Sequence, residues 1–98
     1  MEGFNRFAHE VISGLRPVLD NETLDHVSFA IEDGQMQQAV IEAVGGAVKQ
    51  QVLMPVRVVD MVRDRLTDGE SFRSRDAKKL KRLLQQAHTE AAPALRDC

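Results

Sequence analysis

The stretch that decides the fold runs from Asp20 to Ala47, DNETLDHVSFAIEDGQMQQAVIEAVGGA. Asp20-Asn21-Glu22 reads as a helix start, a capping side chain followed by an acid in the first turn. Leu24, Val27 and Ile31 then recur at three- and four-residue steps, the period of one buried helical face. Phe29 falls off that face, a position that suits either burial against a different neighbour or, if exposed together with Met36 and Met54, a protein interface. Asp33-Gly34 ends the helix after about Glu32, because glycine readily takes the left-handed conformation that closes a helix and aspartate can cap the next one. A further helix starts near Gln35 and sets Met36, Ala39, Val40, Ala43, Val44 and Ala47 on a broad apolar arc. Small residues dominate that arc, so a neighbouring helix can approach closely. Gly45-Gly46 interrupts it, at a cost on the order of 1–2 kcal/mol relative to alanine. Either the helix bends there or the pair admits close backbone contact.

The same period extends in both directions. Phe4, Phe7, Ala8, Val11 and Leu15 mark one face of a first helix, which Gly14 and Pro17 weaken at its end. Pro55 is placed as the first residue of a fourth helix, with Val58, Val59, Met61, Val62 and Leu66 inward and Arg57, Asp60, Arg63 and Asp64 largely opposite. The β-branched run Gln51–Val59 also reads as strand, but Pro55 in its middle opposes a central strand. Thr67–Ser71 is a loop. Ser74 then caps a fifth helix whose stripe is Leu80, Leu83, Leu84, Ala87 and Ala91, ended by Pro93. The expected fold is all-α, one compact bundle of four to five short helices spanning residues 1–98, with a frayed tail from about 93. With four Phe and no Trp or Tyr, its core must be aliphatic.

Charge separates along the chain. Residues 1–50 carry eight Asp/Glu against three Lys/Arg, and residues 51–98 carry seven against ten, so a net −5 is followed by a net +3. Such a split suits a surface that meets other macromolecules. The single cysteine, Cys98, rules out an intramolecular disulfide and fits a reducing compartment. The start MEGFNRFAHE lacks the basic and apolar regions of a signal peptide, and no apolar run approaches the roughly 18–20 residues that span a bilayer. A cytoplasmic location without membrane contact is the expectation.

No reaction is indicated. His9, His26 and His88 fall on three different expected helices with no partner at i+3 or i+4, so neither a metal nor another cofactor is expected. Glu32-Asp33 reads as helix-junction acids that cap and complement the dipole, and Asp60/Asp64 as surface partners of Arg57 and Arg63. No phosphate-binding glycine loop, dinucleotide motif or nucleophile elbow occurs. The chain is therefore read as a non-enzyme.

Two surfaces remain. Arg73, Arg75, Lys78, Lys79, Lys81 and Arg82 fall within ten residues, opposed only by Asp76, and could contact nucleic-acid phosphates. The alternative reading is a solvated face of a helix docked through its leucines, since no aromatic interleaves the charges. The second surface is acidic: Glu22, Asp25, Glu32, Asp33 and Glu42.

Leu24–Leu66, with Ile31-Glu32-Asp33-Gly34-Gln35 before Ala39-Val40, then Val52-Leu53-Met54-Pro55 and another amphipathic helix, resembles the Maf-type immunity proteins of bacterial toxin systems. It departs from their pattern at Gln35, where the family carries a second acid, and at Ala43-Val44-Gly45-Gly46. The resemblance implies a small helical protein that binds and blocks a partner toxin. The leading expectation is a stoichiometric inhibitor whose five acids meet a basic toxin, with electrostatic steering of association. The second is a dimeric regulator that holds nucleic acid on Arg73–Arg82. Homodimerisation through the small-residue arc Met36–Ala47 is left open.

Overall fold

Helix α3, Met36–Lys49, is the hub of the molecule because it is apolar on nearly every side. A computed structural model describes residues 2–89. In chain order α1 (Glu2–Leu15) runs through a 3-10 turn at Arg16–Val18 into α2 (Asn21–Glu32) and then α3. β1 (Leu53–Met54), α4 (Val56–Thr67), α5 (Ser74–Gln86) and β2 (His88–Thr89) follow. α3 packs against α1, α2 and α5, while α4 bridges α1 and α5. Ala39, Val40, Ala43, Val44 and Ala47 are fully buried in these contacts. The small-residue arc is thus covered within the chain and is closed to a second copy.

The Gly45-Gly46 pair neither breaks nor interrupts α3, which continues to Lys49. Gly46 is where α2 comes closest: a β-carbon there would collide with the Thr23 side chain. Gly45, by contrast, would make only ordinary contact with Leu83 at 3.8 Å. Of the two readings open for the pair, close approach holds, and it belongs to Gly46 alone.

Two helices end by the same hydrogen-bond pattern. At α2, Gly34 N–H donates to the Ile31 carbonyl (3.0 Å) and Gln35 N–H to Ala30 (2.8 Å). At α3, Gln51 N–H donates to Val48 (3.0 Å) and Val52 N–H to Ala47 (3.2 Å). Each pair is a Schellman closure, which needs a left-handed residue. Gly34 takes φ +75° without strain, whereas Gln51 is forced to φ +59°. At the other end of α2 the expected cap is present, with Asp20 Oδ1 accepting from Thr23 N–H at 2.9 Å.

Several boundaries differ from expectation. Pro55 is the N-cap and not the first residue of α4, its carbonyl accepting from Val58 and Val59 N–H. Ser74 does not cap α5; Arg73 is the N-cap, and its own N–H is held by Gln37 Oε1 at 3.2 Å. α5 stops at Gln86, well short of Pro93, because Ala87 turns extended and His88–Thr89 pairs in parallel with Leu53–Met54. Strand character in Gln51–Val59 is confined to those two residues, after which the helical period prevails. Ala91, Pro93, Cys98 and the expected frayed tail lie outside the described residues.

The core is aliphatic except at one end. Phe4, Phe7 and Phe72 meet with ring centroids 5.3–6.1 Å apart, the 4–72 and 7–72 pairs edge-on. Such pairs add about 0.5–1.5 kcal/mol to the burial of their area. Arg65 lies over the Phe7 ring at 5.0 Å and donates to the Gly3 carbonyl at 3.1 Å, tying α4 to the start of α1. The loop that delivers Phe72 is set by Asp68, whose carboxylate accepts from the N–H groups of Glu70 and Ser71 and from the Ser71 hydroxyl. The Ser71 hydroxyl, followed by the two backbone donors, holds this carboxyl below its ordinary pKa.

Candidate partner-binding surface

α2 has two faces set by the helical period. Leu24, Val27, Ala30 and Ile31 pack toward the bundle, and Thr23 seats on Gly46. The opposite face carries Glu22, Asp25, His26, Phe29, Glu32 and Asp33, all exposed and spaced at steps of three and four. Four of the five acids singled out from the sequence therefore share one face. The fifth, Glu42, joins them from α3: one oxygen accepts from Gln38 Nε2 at 2.7 Å, and the other lies 4.0 Å from His26 Nδ1.

Phe29 sits in the middle of this face with 67% of its surface exposed. Of the two readings open for Phe29, exposure holds, because among the described residues no element covers the outer side of α2. Its position among Asp25, His26, Glu32 and Asp33 on the helical wheel is legible in the sequence. Met54 is fully buried and Met36 half-buried, so these methionines do not join Phe29 in an exposed patch.

Glu32 and Asp33 have no local structural task. Glu32 is the last residue of α2 and Asp33 its C-cap, where the helix end is already negative. No basic residue occupies the last turn of α2. α3 is entered through Gln35 with no side-chain cap, so Asp33 does not serve as its N-cap. No hydrogen bond or ion pair to either carboxylate is present among the described residues. The capping role expected of this pair is therefore overturned; both charges oppose the dipole of the helix they end.

The basic residues lie on α5. Leu80 and Leu84 are buried beneath it, and Arg73, Arg75, Lys78, Lys79, Lys81 and Arg82 are all exposed. They do not form one flat face. Arg73, Arg75 and Lys79 border a recess toward the α2–α3 junction, while Lys78 and Lys81 lean toward Arg65 and Glu70. Among the described residues none of these cations lies within salt-bridge distance of a carboxylate.

Among the described residues, no three His, Cys, Asp or Glu side chains are grouped to hold a metal ion. No helix of the described residues is long and apolar enough to cross a membrane. No family model matches this chain, and no curated protein or solved structure matches it.

Proposed function

We infer that this chain is a protein-binding module of the immunity type, which blocks a basic partner toxin through the outer face of α2. The observation that carries this reading is Phe29, an exposed aromatic flanked by Glu32 and Asp33, two carboxylates without a partner among the described residues. Interfaces concentrate their energy in aromatic anchors surrounded by a polar rim, and truncating such an anchor costs about 2 kcal/mol or more. The rim charges act mainly on the association rate and its salt dependence. Glu22, Asp25, Glu32, Asp33 and Glu42 supply that rim, and the resemblance of Leu24–Leu66 to Maf-type immunity proteins supplies the partner class. The test is to inspect the genes beside this one for a basic toxin and to co-express its product with this chain. Stoichiometric co-purification and restored growth are expected with the parent protein. Both should be lost with Phe29→Ala and with the Glu32→Lys/Asp33→Lys pair. Full protection by those variants would overturn the surface.

A second reading has its own observation, the exposure of all six cations at α5 with no carboxylate partner among the described residues. It assigns phosphate contact to α5, whose affinity should be greatest at low salt. Absence of duplex binding at low salt would end it.

A further inference from the structure

The two charged surfaces adjoin. Phe29 borders a hollow that it shares with Asp33, Gln35 and Gln38. On the far side of Gln35 and Gln38 lies a recess of about 590 Å³ between the start of α1, the α2–α3 junction and the start of α5. Phe4 and Met36 contribute apolar surface to this recess, and Arg73, Arg75 and Lys79 surround it, with Asp76 the one acid among its lining. An exposed aromatic flanked by two acids therefore stands beside an apolar recess flanked by three cations.

We propose that a second copy of this chain docks here in a two-fold dimer, the Phe29 of each copy entering the Arg73–Arg75 recess of the other. A two-fold interface must be self-complementary: if one residue meets another across it, the second meets the first. This surface meets that condition, because an axis through the Gln35/Gln38 ridge exchanges the acidic knob and the basic recess. The pairing closes after two copies, whereas knob and recess on opposite sides of the molecule would generate open chains. Glu32 and Asp33, unpaired among the described residues, then gain Arg73 and Arg75 as partners. The small-residue arc of α3 takes no part, being buried. This inference does not depend on the toxin-blocking reading, and a dimer would hold Phe29 covered until a tighter partner displaced it.

Sedimentation equilibrium on four samples tests it: the parent, Glu32→Arg/Asp33→Arg, Arg73→Glu/Arg75→Glu, and an equimolar mixture of the two variants. All four substituted residues are exposed, so helix content by circular dichroism should remain that of the parent. The parent is expected to form a dimer that weakens as salt rises. Each variant alone should raise the dimer Kd by about tenfold or more, since both contacts then oppose like charges. The mixture should recover association as a heterodimer, since both contacts again pair opposite charges. A parent that stays monomeric at every concentration would overturn the proposal. So would a variant that dimerises as the parent does, a mixture that fails to associate, or species that keep growing beyond the dimer. Arg73→Glu/Arg75→Glu should still bind the α2 partner, which separates failure of this dimer from failure of the proposed function.

Discussion

Gly46 lies directly beneath Thr23: a β-carbon on it would stand 2.9 Å from the Thr23 hydroxyl and 3.2 Å from its Cβ, and would overlap its methyl outright. Threonine is β-branched and has few rotamers in a helix, so it cannot swing clear. Gly46→Ala should therefore force α2 from α3 and lower stability by about 1–3 kcal/mol. Gly45→Ala, one residue earlier with only Leu83 at 3.8 Å, should stabilise by up to about 1 kcal/mol through helix propensity. Urea denaturation of the two single variants reads both signs. A shared sign would refute the assignment of the close contact to Gly46.

The matched helix ends make a second pair. Gln51 holds a left-handed conformation that glycine takes freely, and its side chain is exposed. Gln51→Gly should raise stability by about 1 kcal/mol, while Gly34→Ala should lower it by a similar amount. The midpoint of unfolding should move at an unchanged denaturant slope.

Glu32 opposes its helix dipole without a compensating contact among the described residues. Glu32→Lys should stabilise the isolated chain by about 0.3–1 kcal/mol and Glu32→Gln by less. The same substitutions should slow association with the α2 partner, so thermal melting and association rate should move in opposite senses. Loss of stability on both substitutions would show that Glu32 has a structural task after all.

Acid sensitivity follows from the α2 cap. The backbone N–H of Thr23, and after it the Thr23 hydroxyl, hold the Asp20 carboxyl below its ordinary value of 3.8. The folded pKa lies below the unfolded one, so this contribution is complete above the ordinary carboxylate range. It is lost as pH falls from there through the depressed folded value. Asp68, lowered by Ser71 and Glu70, acts in the same direction. Asp20→Asn keeps a good cap and removes the titration, so stability near neutrality should change little while its fall below about pH 4 becomes shallower. An unaltered acid limb would exclude Asp20 as a contributor.

The helices were legible where a local rule and the tertiary structure agree. The α1 stripe Phe4, Phe7, Ala8, Val11 and Leu15 is buried as its period predicts, and Asp20 and Gly34 act as their residue types require. What escaped depends on partners distant in sequence. Phe29 is visibly off the inward face, but only the arrangement of all five helices leaves it uncovered. The bridge between Leu53–Met54 and His88–Thr89 joins residues 35 apart in each pair and has no sequence period of its own. Phe72 follows an aperiodic loop, so no stripe announced its place against Phe4 and Phe7. The acidic candidates on α2 were readable as charges. That Glu32 and Asp33 lack a capping role became visible only with the helix end in place.

The distribution of aromatic rings has an optical consequence. Without Trp or Tyr the chain is nearly silent in near-ultraviolet fluorescence, and three of its four Phe are locked together in the core. Phe29 alone stands outside, so Phe29→Trp would place a single indole on the α2 face and leave the buried rings untouched. The emission of that one residue would report directly on what comes to cover it.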